Sequence, residues 1–293
     1  GVLDHNVNVL GTGRTGYAGI PFDNTGIQYG LKALEQGLLS PAKFVDINAR
    51  IGGLDPVTLK PTPERTEADV SAVVNAYRAG YMAIGNTLAD TPILEGRGSN
   101  EVTAHVTYPT RVLRRRLVEQ HGSYANHVLW QGPVPVMGSP DLAGQMVLEM
   151  DRWVGAIQRD RRDVPKAQKV REAKPADLVD TCILAGGIRR PATDCPLLVR
   201  YYDSPTQVAG ESPSNDILKC RHKPLRREDY RVRFTDAQWA RLQATFPDGV
   251  CDWTKPGVGE QGTVPWLTFA DGPGGRPLGP PPRSEPFTIE PPA

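Results

Sequence analysis

The stretch TPILEGRGSNEVTAHVTYPTRVLRRRLVEQHGSYANHVLWQGP, residues 91–133, limits what this chain can fold into more than any other. It reads as a short apolar strand at Pro92, Ile93 and Leu94, a polar loop over 95–107, an amphipathic helix starting near Pro109, and a second strand at 127–130. Val112, Leu113, Leu117 and Val118 give the helix an apolar side, while Arg111, Arg114, Arg115 and Arg116 read as its solvated outer face. Strand, helix, strand is the unit from which parallel sheets are built, because parallel neighbours need a crossover connection. The expectation is an α/β fold.

The polar loop carries chemistry-bearing side chains between two regular elements, where functional groups tend to be presented. A carboxylate and a histidine are two members of a hydrolytic triad. Glu101 is the candidate acid, with Asn100 and Glu95 as rivals, and His105 is the candidate general base. A carboxylate beside an imidazole fixes its tautomer and stabilises the imidazolium formed during acyl transfer. His5, His121, His127 and His222 read as structural. The nucleophile is missing: Ser99 in GRGSNE and Ser139 in MGSPD do not fit the G-x-S-x-G elbow, and Ser139 is accounted for as a helix cap.

Charge and cysteine content narrow the class. With 34 basic against 33 acidic residues in 293, the chain lacks the basic excess of a nucleic-acid surface. It has no apolar run long enough to span a membrane and no signal-like segment at its start. It begins at Gly1, so the expectation is a processed chain or a fragment of a longer one. Cys182, Cys195, Cys220 and Cys251 lack metal-site spacing and read as two disulfides, which favours secretion. Three pairings are possible, and loop economy favours Cys182 with Cys195 and Cys220 with Cys251. No metal or cofactor is expected.

Elsewhere the signals are local. Gly11, Gly13 and Gly16 match a dinucleotide fingerprint after a possible strand at 7–10, but Tyr17-Ala18-Gly19-Ile20-Pro21 is a poor helix start, so the motif reads as a glycine-rich loop. A short helix is expected within 26–37, and a better-marked one follows Ser40 as N-cap with Pro41 at its first position, stopping at Gly52. Asp46 and Asn48 in it read as a solvated face rather than a calcium loop. Further helices are expected over 67–83, from Ser139 to about Asp160, and over 235–246, the last with a Thr235/Gln238 capping box. Residues 271–293 read as a Pro/Gly-rich extended tail.

The segments DNTGIQYGLKAL, SPAKFVDINARIGGLD, TPILEGRGSNE, NDILKCRHKPL and FTDAQWARLQATFPDGVCDWTKPGVG together resemble the C-terminal half of a family of large secreted bacterial proteins. That family is similar to α/β-hydrolases of the tannase and hydroxybutyrate-oligomer hydrolase kind. The resemblance implies a C-terminal part of an α/β-hydrolase core with a helical insertion over 1–175, a disulfide-stapled accessory region over 176–270, and the tail. It implies a serine hydrolase acting on ester or amide bonds, its serine elbow on a segment before Gly1 and its partner the N-terminal chain of the same precursor. Relatives carry an Asn-Asp pair followed by Ile-His where this chain has Asn100-Glu101 and Ala104-His105, so the acid here is one methylene longer. The rival expectations are a non-catalytic binding or structural module that keeps the architecture, and a nucleotide enzyme built on Gly11, Gly13 and Gly16.

Overall fold

A serine followed by proline starts two of the longest helices. The computed structural model describes residues 2–58, 60–99, 108–195 and 204–279. Helix α1, Pro41–Arg50, is capped by the Ser40 hydroxyl, which accepts from the Lys43 amide at 3.3 Å. Helix α2, Val70–Arg78, begins after Asp69, whose carboxylate accepts instead from the Ile20 amide. Strand β1, Ile93–Ser99, is followed by helix α3, Tyr108–His121, and strand β2, His127–Pro133. Helix α4, Pro140–Arg159, is capped by Ser139, and the shorter α5 spans Lys166–Glu172. Strands β3, Thr181–Ile183, and β4, Arg189–Pro191, follow. Strand β5, His222–Lys223, then helix α6, Asp236–Thr245, with the expected capping box, and strand β6, Val250–Cys251, complete the framework.

The main sheet has the order β1-β2-β3-β4, parallel except for β4. Its two faces are covered by different helices. Leu94, Val128 and Trp130 pack with Leu142 and Trp153 of α4 and Val170 of α5, and the Trp153 indole donates to the Val170 carbonyl at 2.9 Å. Glu95 and His127 point to the other face, toward α3. A second core forms where α1 meets α6, with Phe44, Val45, Phe234, Trp239, Leu242 and Phe246 buried together. Cys182 joins Cys195 and Cys220 joins Cys251, the economical pairing. Two disulfides point to an oxidising compartment. Among the described residues no helix is long and apolar enough to cross a membrane.

Several expectations are corrected. Residues Val7–Leu10 form a helical turn rather than a strand, and the next helix is Leu31–Glu35. The glycine motif therefore has neither the strand before it nor the helix on it that a dinucleotide site requires. The Gly13 amide bonds to the Tyr17 carbonyl, closing a tight loop. The helix expected over 67–83 is shorter, and the strand expected at 92–94 runs to Ser99, so Glu95 belongs to the sheet. Part of the expected tail is fastened: Arg276–Pro277 pairs with Leu267–Thr268. The basic face of α3 is not uniformly solvated, since Arg116 reaches the carbonyls of Ala83, Ser214 and Asn215.

Arg65 joins the irregular N-terminal region to α1. Its terminal nitrogens donate to the carbonyls of Asn24 and Ile27, each at 2.8 Å, and of Asn48 at 3.0 Å. Its guanidinium lies 4.8 Å from the Phe246 ring centre. A lysine has one nitrogen and cannot fork between these segments. Arg65→Lys should lower the unfolding free energy by about 2–3 kcal/mol, and Arg65→Met by more, because buried carbonyls lose their donors. Urea denaturation followed by tryptophan fluorescence measures both; a wild-type midpoint for Arg65→Met would remove this role.

Candidate functional site at the carboxyl ends of the parallel strands

In open α/β sheets, reactive groups gather where parallel strands end. The β1/β2 register pairs Ile93 with His127 and Ser99 with Pro133, so both strands stop in step. Residues 100–107 follow β1 in sequence at this edge. Asn100, Glu101 and His105, the candidate acid and base, lie outside the described residues. A short helix, Val134–Met137, continues from β2 at the same end, and Ser139 beyond it is committed to capping α4.

Behind that edge the structure brings together Glu95 and His127. The Glu95 carboxylate lies 3.0 Å from His127 Nε2 and accepts from the Thr110 hydroxyl at 2.5 Å. His127 Nδ1 faces Arg114 Nε at 3.0 Å. An arginine nitrogen only donates, so Nδ1 accepts and Nε2 carries the ring proton to Glu95. Arg114 also forks onto Asp180, with both contacts at 2.7 Å, and Asp180 accepts from the Leu129 amide at 2.9 Å. This chain of contacts joins β1, α3, β2 and the start of β3.

A carboxylate next to a histidine resembles two thirds of a triad, but this imidazole has no free nitrogen. Both imidazole nitrogens are occupied, and the His127 side chain is 0% exposed. Burial pushes the Glu95 carboxyl up, yet the hydrogen bonds from His127 and Thr110 and the charge of Arg97 outweigh it and hold the group below its ordinary value. Asp180 is likewise held low: burial opposes ionisation, but Arg114 and the Leu129 amide favour it more. The cluster is a clamp, with Glu95 as its centre. Thr110, Arg114 and Asp180 were not legible as members, since nothing local distinguishes an inward arginine from its outward neighbours. The one available signal was Glu95 itself, two residues into an apolar strand.

The other sequence-singled histidines scatter. His121 meets the Gly85 carbonyl at 2.8 Å, and His222 meets that of Thr25 at 3.3 Å. His5 sits at the end of the first helical turn. Among the described residues no group of three His, Cys, Asp or Glu side chains is placed to hold a metal ion.

These features define an α/β protein with a largely parallel sheet and two disulfides, one of them anchored in β3 at Cys182. Residues 1–262 match the model of the Tannase-like family of unknown function (DUF6351), and the chain belongs to that family. No curated protein and no solved structure matches it.

The clamp predicts a pH signature. Glu95 has a depressed carboxyl in the folded state, so its contribution is present above the unfolded value of about 4.3 and is lost as pH falls through the folded value. Glu95→Gln should cost about 2–3 kcal/mol near neutral pH, and the gap to wild type should close below about pH 4. Chemical denaturation across pH checks this; a gap independent of pH would mean that shape, not charge, is what Glu95 supplies.

Proposed function

We propose that this chain is the C-terminal part of a secreted serine hydrolase that cleaves ester or amide bonds through an acyl-enzyme. The observation that carries the reading is membership of a tannase-like family over residues 1–262, which suggests an esterase- or hydrolase-type function. The parallel β1-α3-β2 unit, with α3 and α4 on opposite faces of the sheet, fits the late part of an α/β-hydrolase core. In this proposal Glu101, or Asn100 in its stead, orients His105. His105 takes the proton from a serine hydroxyl as its oxygen attacks the substrate carbonyl carbon. It then returns the proton to the leaving alcohol or amine as that bond breaks, and water releases the acyl group by the same route.

The nucleophilic serine is assigned to a segment before Gly1, carried by the N-terminal chain of the same precursor. Support comes from the sheet. Among the described residues β1 has a neighbour on one side only, although it is seven residues long, and a long edge strand presents a row of unpaired amides and carbonyls ready to take a further strand. Beside that edge, α4 keeps Val147 67% and Leu148 70% exposed, and a shallow groove of about 420 Å³ runs along Met146, Val147, Met150 and Val154. A further strand with apolar cover would satisfy both.

Two experiments test the reading. In the assembled protein, His105→Ala should reduce turnover by about 10³-fold or more and abolish labelling of the partner chain by a fluorophosphonate. Undiminished labelling and turnover would sink the assignment, and a partner that never labels would favour the non-catalytic module. Separately, Val147→Asp should weaken retention of the N-terminal chain in pull-down while leaving the circular dichroism of this chain unchanged. Undiminished retention would remove the α4 groove from the interface.

A further inference from the structure

A cleft of about 600 Å³ opens where α1 and α6 end, bordered by Thr25, Gly26 and His222 and built from elements outside the main sheet. Its principal donors are committed. Arg65 gives its terminal nitrogens to the oxygens of Asn24, Ile27 and Asn48. Arg241 pairs with Asp46 at 3.1 Å, and the Asn48 amide donates to the Tyr29 and Phe44 carbonyls at 2.9 and 3.0 Å.

The acceptors are not committed. His222 Nε2 lies 3.3 Å from the Thr25 carbonyl, a group that only accepts, so this nitrogen carries the proton. The other nitrogen, Nδ1, has no hydrogen-bond partner among the described residues and offers its lone pair when unprotonated. Glycine at 26 makes room for the ring: its φ is 76°, and a Cβ there would stand 2.6 Å from His222 Nε2. Glu64 and Asp248 line the cleft, are exposed, and have no cationic partner among the described residues. The carbonyls of Ala49 and Ala244, in the last turns of α1 and α6, accept no hydrogen bond among the described residues. Each lies at the negative end of its helix dipole.

The fold already answers this environment once, by placing the Arg65 guanidinium on the Asn48 carbonyl at the end of α1 and against Phe246. We propose that the cleft is a binding site for a second such group, a small ligand bearing a guanidinium or primary ammonium. Its N–H donors meet the Glu64 and Asp248 carboxylates and the His222 lone pair, and its positive charge complements the two carboxylates, which a neutral or anionic ligand does not. The inference does not depend on the hydrolase reading, because it uses none of the residues assigned to that reaction.

Agmatine, which carries both cations, is the probe, titrated calorimetrically into the full chain at low ionic strength. Saturable one-site binding is expected, with potassium chloride at equal ionic strength giving none. The Glu64→Gln/Asp248→Asn double variant alters two exposed side chains and should fold normally by circular dichroism, yet bind about tenfold or more weakly. His222→Phe, which keeps the ring and removes the acceptor, should also weaken binding. Absence of saturable binding to the wild-type chain, or wild-type affinity in the double variant, overturns the proposal.

Discussion

Irregular backbone needs hydrogen-bond donors that regular structure would have supplied, and this chain obtains them from arginine. It contains 28 prolines, none of which has an amide hydrogen, and 30 glycines. Arg65 serves the carbonyls of Asn24, Ile27 and Asn48; Arg116 serves Ala83, Ser214 and Asn215; Arg78 serves Gly274 and Gly275. Each links segments far apart in sequence, and each uses the fixed fork of a guanidinium, which offers donors in several directions at once. Burial draws Arg65 and Arg116 below their ordinary values, the direction expected of a cation taken from water. The carbonyls around them offset that cost.

The same residue type explains where the sequence was opaque. Arg114, Arg115 and Arg116 are consecutive, yet Arg115 pairs with Glu119 on the helix surface while its neighbours reach inward to Asp180 and to the Ser214 carbonyl. A long aliphatic stem lets the charged end find a partner from a position that helical periodicity places near the surface. Periodicity therefore marks where the stem begins and not where the charge ends. Local signals fared better: the caps at Ser40, Ser139 and Thr235 are set by side chains within three residues of the bonds they make. The extension of β1 was not local. Glu95-Gly96-Arg97-Gly98-Ser99 has the composition of a turn, but pairs along its whole length with β2. Its glycines admit neighbours that a side chain would exclude, with Met146 Sδ 2.8 Å from where a Gly96 Cβ would be.

Histidine shows how much depends on a single lone pair. His127 and His222 each have a polar partner and each reads from sequence as structural. His127 is closed at both nitrogens, by Glu95 and Arg114, and can neither accept nor release a proton without breaking a contact. Among the described residues His222 is tethered at one nitrogen only. A sequence supplies the imidazole in both cases, but the tautomer and the free valence arise from residues 13 and 32 positions away for His127 and 197 for His222. The candidate acid and base at 100–105 were legible as types in a favourable setting, while their geometry falls outside the described residues.

The Glu95 clamp also fixes how β1 meets β2. Strand register is weakly specified where glycine replaces side chains, and β1 has two glycines in its last four residues. Glu95 sits just before them and is held by His127 from β2 and Thr110 from α3. Arg114 then ties the same helix to Asp180, at the entrance to β3. A slip of one residue would turn Glu95 to the face occupied by α4 and break both contacts. Register is thus set by charge and hydrogen bonding in the amino-terminal half of β1. The glycine-rich carboxyl half is left free of that duty and can accommodate the close approach of Val134 and Met146 beside the point where residues 100–107 depart.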